Sequence, residues 1–325
     1  MEYRNLGRTG LKVSRLCMGS MNFGWTAPEE NAYRVFDAFV AAGGNFIDTA
    51  NVYSRWAQGN PGGVAETFIG RWLKKTSVPR DQLVIATKVR SRMGDGPNDE
   101  GLSRKHILDQ AEASLRRLQI DTIDLYQAHW YDGNVPIDET LRAFDDLVHQ
   151  GKVRYIGCSN YPAWRLMQAL WTSEQLGLAR YASLQPHYNL IHRAEFEREL
   201  RDVCTVYGLG VIPYSPLAGG FLTGKYRKGE PPPAGTRGVD SPRIKGYLET
   251  ETSFAAIDHL RELGRARGKT VAQMALAWLL TDPLITSPII GANTVEQWNE
   301  IAGALDVTLS EDEKKELDEL TKWES

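Results

Sequence analysis

Residues 83–129 read LVIATKVRSRMGDGPNDEGLSRKHILDQAEASLRRLQIDTIDLYQAH, and this stretch decides the fold. Its two ends, residues 83–88 and 123–129, are short apolar runs that predict buried strands. Residues 103–118 between them have the periodicity of an amphipathic helix, with Ser103 as its capping residue. A helix that joins two buried strands is typical of a βαβ unit, in which the strands are parallel.

The same unit repeats along the chain. Asn160, followed by Tyr161 and Pro162, is the start signal of another helix, and several helical patterns end at glycine. No change of composition and no linker divides the chain, so the sequence predicts one domain over residues 1–325, a closed (β/α)8 TIM barrel. The other six strands are predicted at 16–20, 46–50, 155–160, 182–187, 210–215 and 287–291, and further helices at 29–42, 137–150, 162–176 and 195–207.

A doubly wound open sheet is the main alternative, and it would carry a glycine-rich phosphate loop after its first strand. No G-x-G-x-x-G motif occurs in the chain. The segment GRARGKT at 264–270 has three residues between its glycines, where a phosphate loop needs four, and it joins two helical patterns. We interpret it as the end of one helix and the start of the next.

Two segments lie outside the repeat. Residues 3–15 alternate around a Gly7–Thr9–Gly10 turn and predict a β-hairpin ahead of the barrel. Residues 218–250 follow the seventh predicted strand and are rich in Gly, Pro, Lys and Arg. Loops that follow barrel strands lie at the C-terminal rim, where active sites are built, so we expect this long loop near a ligand.

Composition and charge indicate which partners and which cellular location to expect. The net charge of −3 gives no reason to expect nucleic acid or a membrane as a partner. The N-terminus has no signal-peptide pattern, and the longest apolar-rich run, 271–280, is too short to span a bilayer. We therefore expect a cytoplasmic protein. In it, Cys17, Cys158 and Cys204 are expected to be small buried side chains, and their spacing predicts no metal site.

Four ionisable residues fall at the ends of three consecutive predicted strands. Asp48 ends the second strand and Tyr53 follows it, while Lys88 and His129 end the third and fourth. A charged residue in a buried strand is costly unless it is paired, so we expect Lys88 to pair with Asp48.

This set has the parts of a carbonyl-reducing site. A nearby Lys⁺ lowers the pKa of a tyrosine and makes it a better acid, and a neutral histidine can orient a carbonyl oxygen. No side chain delivers hydride, so such a site implies a nicotinamide cofactor. From the residues alone, Lys88 also fits the Schiff-base lysine of an aldolase or lyase.

Eight segments resemble the aldo-keto reductase superfamily, in the family's order along nearly the whole chain. Each segment alone is a weak signal, but together, at these spacings, they are very specific. The nearest branch is the bacterial, potassium-channel-β-subunit-like one. The segments are GRTGLKVSRLCMGSMNFG (7–24), GGNFIDTANVYS (43–54), IATKV (85–89), DLYQAHW (124–130), IGCSNY (156–161), LQPHYNL (184–190), IPYSPLAGGFLTGKY (212–226) and GANTVEQW (291–298).

The resemblance implies reduction of aldehydes and ketones to alcohols, with hydride from nicotinamide C4 and a proton from Tyr53. Lys88 and Asp48 then tune Tyr53, and His129 positions the carbonyl. The resemblance implies the following cofactor contacts: Gly19, Ser20 and Met21 at the first strand; Ser159, Asn160, Gln185 and Tyr214 around the nicotinamide; Ser215, Leu217, Gly219 and Lys225 around the pyrophosphate; and Gly291, Asn293, Gln297 and Glu300 at the adenosine end.

The cofactor expected from the resemblance is NADPH. Many relatives carry a basic residue in the segment that is Gly-Ala-Asn here, residues 291–293, to hold the 2′-phosphate. Asparagine cannot pair ionically with a phosphate, so we expect Lys225 or Arg237 to supply the charge. NADH is the alternative cofactor.

The substrate is expected to be a small carbonyl compound. Trp25, Trp56 and Trp130 fall in rim loops, which favours a pocket for aromatic or alicyclic aldehydes and ketones. The alternative function is a nicotinamide-binding regulatory subunit of the channel-β-subunit type, with little turnover. The sequence leaves the physiological substrate, the stereospecificity for ketones and the oligomeric state open.

Overall fold

The N-terminal hairpin closes one end of the molecule. The structure is a computed structural model, and it describes residues 1–323. Strands β1 (Tyr3–Asn5) and β2 (Lys12–Ser14) pair antiparallel, which confirms the predicted hairpin. A Cβ atom on Gly7 would lie 2.4 Å from the backbone nitrogen of Gly210, so only glycine lets the hairpin turn pack this closely.

The remaining eight strands form one parallel sheet in which neighbours in sequence are neighbours in space. The last strand pairs with the first, so the order is β10-β3-β4-β5-β6-β7-β8-β9. The strands are β3 (Cys17–Gly19), β4 (Phe46–Asp48), β5 (Val84–Val89), β6 (Ile123–Ala128), β7 (Val153–Ser159), β8 (Tyr181–Gln185), β9 (Gly210–Val211) and β10 (Ile289–Ile290).

The sheet closes between its last two strands in sequence. Val211 forms a parallel bridge with Ile285. The backbone N–H of Thr286 donates to the Val211 carbonyl at 2.8 Å, and that of Ile289 donates to the Pro213 carbonyl at 2.8 Å. These bonds leave no open edge, which confirms the predicted barrel.

Helices cover the outside of the barrel, and their starts carry the expected caps. Ser103 Oγ accepts a hydrogen bond from the His106 backbone, and Thr270 and Ser310 each begin a helix with a capping box. The helices are α1 (Glu29–Ala41), α2 (Val64–Leu73), α3 (Arg104–Leu118), α4 (Ile137–His149), α5 (Ala163–Leu176), α6 (Arg201–Tyr207), α7 (Pro242–Leu248), α8 (Glu251–Arg265), α9 (Val271–Thr281), α10 (Val295–Ala302) and α11 (Glu311–Leu320), with short 3-10 or π segments at Arg80–Gln82, Phe196–Leu200, Ala218–Thr223 and Gly303–Asp306.

Some expectations from the sequence need correction. The last two strands are only two residues long, because the chain leaves the sheet early to build the rim. Residues 218–250 are not a plain loop, since they contain a 3-10 segment and α7. Asn160 does not cap α5, because it adopts a left-handed conformation (φ 57°) at the rim. Residues 264–270 do join α8 to α9, as expected.

Apolar side chains fill the space between strands and helices. Cys17, Cys158 and Cys204 are all buried and unbonded to one another, as predicted. Across residues 1–323, we find no helix that combines the length and the apolar character needed to cross a membrane.

Candidate active site

A cleft of about 1270 Å³ opens at the C-terminal ends of the strands. The parallel strands bring their last residues to this rim, among them Asp48 of β4, Ser159 of β7 and Gln185 of β8. Residues from the first and last strands, such as Gly19 and Ile290, line the same cleft. The barrel topology therefore assembles one site from distant segments, as its C-terminal face usually does.

Lys88 lies at the centre of a buried polar cluster on the floor of the cleft. Its side chain has no solvent exposure and forms an ion pair with Asp48. Lys88 Nζ also donates to the Tyr53 hydroxyl at 3.1 Å and to the Thr49 carbonyl at 2.8 Å. The three donors of the ammonium group are thus all used, and the expected pairing of Lys88 with Asp48 is present.

Two glutamines hold the other oxygen of Asp48. Gln127 Nε2 donates to Asp48 Oδ1 at 3.1 Å, and Gln185 Nε2 donates to the same oxygen at 3.0 Å. Gln127 is completely buried. Because both carboxylate oxygens have partners, Asp48 is fixed in the orientation that faces Lys88.

The charges of this cluster follow from burial and pairing. Burial is the largest single effect on Lys88 and opposes its charge, but Asp48 and Tyr53 outweigh it, and the pKa of Lys88 is raised. Burial also raises the pKa of Tyr53, against the opposing effect of Lys88. The sequence-based expectation of a lowered Tyr53 pKa is therefore wrong for the protein alone, because the phenol is more deeply buried than the sequence indicated.

His129 faces the cleft beside Tyr53, with ring centroids 6.0 Å apart. Burial, and then the nearby charges of Lys88 and Arg90, lower the pKa of His129 well below its usual value. The imidazole is therefore neutral, as the sequence-based interpretation required. Its Nδ1 is buried without a partner, so Nε2 is the nitrogen available to a ligand.

A second set of polar groups lines one side of the rim. Asn160 Nδ2 donates to the His129 carbonyl at 2.9 Å, and the Tyr214 hydroxyl donates to Asn160 Oδ1 at 2.8 Å. Ser159 Oγ donates to the Gln185 carbonyl at 2.8 Å. These bonds connect the ends of β6, β7 and β8 and fix amide and hydroxyl groups at the cleft surface.

Three cations line the other half of the cleft. Lys225, Arg237 and Arg243 all contribute to its surface, and none of them forms an ion pair with any side chain in residues 1–323. Arg237 is substantially buried, and burial lowers its pKa. Beside them Gly219 and Gly220 adopt positive φ angles of 66° and 98°. Cations without an ion-pair partner, next to such a turn, are suited to a polyanionic ligand.

Residues 15–322 match the Aldo/keto reductase family over nearly the whole chain. The chain belongs to this family. It is 40% identical over 324 residues to the "Uncharacterized oxidoreductase YrpG" of Bacillus subtilis, covering 98% of this chain and 96% of that protein. It is 34% identical over 342 residues to the "Versiconal hemiacetal acetate reductase" of Aspergillus parasiticus, covering 98% and 96%. It is also 35% identical over 309 residues to a "Probable voltage-gated potassium channel subunit beta" of Oryza sativa subsp. japonica, covering 94% and 92%. This aldo/keto reductase is an oxidoreductase.

The structure brings most of the predicted residues of this aldo/keto reductase to one surface. Beyond Asp48, Tyr53 and His129, the cleft is lined by Gly19, Met21, Trp56, Trp130, Ser159, Asn160, Gln185, Tyr214, Ser215, Leu217, Gly219, Lys225, Arg237, Gly291, Asn293, Gln297 and Glu300.

Three predicted residues are not part of the lining. Lys88 lies beneath Tyr53, where an ion-paired, fully buried amine cannot act as the Schiff-base nucleophile that the sequence left open. Ser20 is completely buried, so its side chain does not support the assignment to cofactor binding. Trp25 packs edge-on against Trp56, with centroids 5.7 Å apart, and supports the pocket wall from outside.

Sequence reasoning missed two functional candidates. Besides Asp124 near its start, the buried strand β6 contains the polar residue Gln127, and this amide within a largely apolar run was the available signal. Arg243 lies on α7 and reaches the cleft only because residues 218–250 fold back over the rim. No local pattern in the sequence marks it.

Proposed function

We propose that this aldo/keto reductase reduces aldehydes and ketones to alcohols with NADPH, and that Tyr53 supplies the proton. The observation that carries the proposal is the buried chain of contacts from Asp48 through Lys88 to the Tyr53 hydroxyl, which opens onto the cleft. An ion pair with a purely structural role needs no tyrosine hydroxyl in contact with it. Proton transfer to a ligand in the cleft does need such a hydroxyl.

The cleft fits a dinucleotide in size and charge. Its lining includes Tyr53, the loop of Gly291 and Asn293, and the cations Lys225 and Arg237, in a volume of about 1270 Å³. We assign the carboxamide to Ser159, Asn160 and Gln185, and the exposed face of Tyr214 to the nicotinamide ring. The backbone of residues 215–219 then faces the pyrophosphate, and Gln297 and Glu300 face the adenosine.

The preference for NADPH rests on Lys225 and Arg237. The segment 291–293 has no basic residue, and the Asn293 side chain already accepts a hydrogen bond from Thr26 Oγ1 at 3.2 Å. An unpaired guanidinium is a strong partner for a phosphate monoester. We therefore assign the 2′-phosphate to these two cations, with NADH as the alternative cofactor.

The residues of the site have separate tasks in the reaction. A nicotinamide held by Ser159, Asn160 and Gln185 would supply the hydride that the carbonyl carbon accepts. Tyr53 donates its phenolic proton to the carbonyl oxygen, and Lys88 stabilises the phenolate that remains. Asp48 keeps Lys88 charged, and neutral His129 donates from Nε2 to the same oxygen and orients it.

Aromatic side chains shape the end of the cleft where the substrate enters. Trp56 and Trp130 line it, and each is nearly half exposed. Exposed tryptophans beside a polar floor suit a flat apolar carbonyl compound whose oxygen points to Tyr53. We propose aromatic and alicyclic aldehydes and ketones as the substrate class.

A regulatory role is the second candidate function. The relative from Oryza sativa is named as a probable channel subunit, and its match extends over 94% of this chain. The intact set of Tyr53, Lys88, Asp48 and His129 favours turnover over a purely regulatory role.

The test is a panel of aromatic aldehydes and ketones, measured with NADPH and with NADH. We expect NADPH oxidation to match alcohol formation mole for mole. Tight cofactor binding without cofactor oxidation across the panel would contradict the reductase function and favour the regulatory function. If NADH bound as tightly as NADPH or more tightly, only the assignment of NADPH as the cofactor would be overturned.

A further inference from the structure

A tight turn after β8 brings two histidines together at the rim. Asn189 and His192 exchange backbone hydrogen bonds of 3.3 and 3.0 Å, so the chain reverses at this point. Asn189 Nδ2 donates to the Ser215 carbonyl at 2.9 Å and ties the turn to the neighbouring loop. The reversal stacks the His192 ring on His187, with centroids 3.8 Å apart.

Glu195 completes a cluster of three side chains that can bind a metal ion. The donor atoms of His187, His192 and Glu195 all lie within 4.8 Å of one another. His192 Nε2 lies 3.3 Å from Glu195 Oε2, yet it is buried and makes no hydrogen bond. Within residues 1–323, the only side chain partner of His187 Nε2 is the Asn189 amide, at 3.5 Å. The cluster therefore has nitrogen lone pairs that the protein itself leaves poorly used.

Solvent reaches one side of the cluster. The Glu195 side chain is 71% exposed, so its carboxylate is free to approach an ion.

We propose that His187, His192 and Glu195 form a binding site for Zn²⁺ or a similar divalent transition metal. Two imidazoles and one carboxylate are a ligand set that zinc accepts, with a water in the fourth position. Donor atoms around a tetrahedral zinc are roughly 3.3–3.5 Å apart. The ion therefore requires a rotation of His192 and Glu195, for which their partial exposure of 26% and 71% leaves room.

The site adjoins the catalytic cleft without being part of it. The His187 ring stacks on Tyr214, with centroids 5.1 Å apart and planes at 14°, while Tyr214 lines the cleft. A bound ion takes His192 out of the stack that supports Tyr214 and brings positive charge toward Arg243. Metal binding at this site is independent of the proposed reaction at Tyr53.

The test is calorimetric titration of the intact protein with Zn²⁺, without cofactor or substrate, supported by the visible absorption of Co²⁺. We expect one ion per chain and a loss of affinity of more than about tenfold in His192→Ala and in Glu195→Gln. His192 and Glu195 are both partly exposed, so these variants should keep the fold.

The matched control is His259→Ala. His259 Nε2 lies 3.3 Å from Glu316 Oε2, the same spacing as in the proposed site, but this pair has no second histidine. We expect the control to bind the ion as the parent does. No binding by the parent, unchanged affinity in His192→Ala, or an equal loss in His259→Ala would each overturn the proposal.

Discussion

Lys88 Nζ lies 3.1 Å from the Tyr53 hydroxyl and pairs with Asp48, in a place with no solvent exposure. A cation buried so deeply is stable only because its three donors are all satisfied. The same contact that stabilises Lys88 places a positive charge against the phenol. Stability and reactivity thus depend on one set of contacts.

Replacing Lys88 should lower the free energy of unfolding, because it leaves the buried Asp48 carboxylate unpaired. Lys88→Met leaves the Asp48 carboxylate buried without its cation, and we expect the free energy of unfolding to fall by about 3–5 kcal/mol. Adding Asp48→Asn removes that charge while Gln127 and Gln185 remain near, so the double variant should recover a large part of the loss. Urea unfolding measures both. Additive losses in the double variant would contradict the pairing.

His129 should give the protein an acid-sensitive step in stability. Its folded pKa is lowered, so the unfolded chain binds the proton more readily, and stability is full above the unfolded pKa of about 6.5 and declines as the pH falls below it. One such group contributes a slope of up to about 1.4 kcal/mol per pH unit. We expect His129→Asn to make the slope shallower in urea unfolding between pH 6.5 and 4.5.

His149→Asn is the control for this measurement, because that side chain is 75% exposed on the surface of α4. It should leave the slope unchanged. A slope in His129→Asn equal to that of the parent would show that His129 is not held neutral by the fold.

Gln127 is expected to act by positioning Asp48. Gln127→Leu removes one of the two amide donors to Asp48 Oδ1, and a hydrogen bond to a charged group is worth about 1.5–3 kcal/mol. We expect kcat for an aromatic aldehyde to fall by about tenfold to a hundredfold, with unchanged cofactor affinity. Gln110→Leu, which loses a hydrogen bond with Asn51 outside the barrel, is the matched control. Full kcat in Gln127→Leu would contradict this role.

Arg237 should distinguish the two cofactors. Arg237→Gln removes a cation that donates to Asn22 Oδ1 but forms no ion pair with any side chain in residues 1–323. We expect the Kd for NADPH to rise by about tenfold or more and the Kd for NADH to change little, because only NADPH carries the 2′-phosphate. Arg227→Gln serves as control, since Arg227 pairs with Glu230 and is 78% exposed. Equal weakening of both cofactors would assign Arg237 to the pyrophosphate instead.

Local sequence patterns predicted the fold because each βα unit is specified within its own segment. The apolar run that contains Lys88 and the cap at Ser103 act over a few residues, and parallel strands then bring their ends together. The convergence of Asp48, Tyr53 and His129 follows from that topology alone. For the same reason the barrel was predictable without any knowledge of side chain packing.

Features that depend on long-range packing were not predictable. Arg243 reaches the cleft through α7, in a segment that the sequence marks only as irregular. The sign of the Tyr53 pKa shift depends on how completely neighbouring segments bury the phenol. His187 stacks on His192 only because the chain reverses at Asn189. The sequence spacing of these two histidines matches no common metal-ligand motif.

The central claim is that the Tyr53 hydroxyl is the proton donor. The most direct test is the single-turnover rate of Tyr53→Phe with saturating NADPH and an aromatic aldehyde, beside Tyr33→Phe, which loses a partly buried hydrogen bond to Glu29 outside the cleft. We expect the rate in Tyr53→Phe to fall by about 10²- to 10⁴-fold with NADPH affinity retained, and Tyr33→Phe to behave like the parent. A Tyr53→Phe enzyme that reduces the aldehyde as fast as Tyr33→Phe would contradict the account.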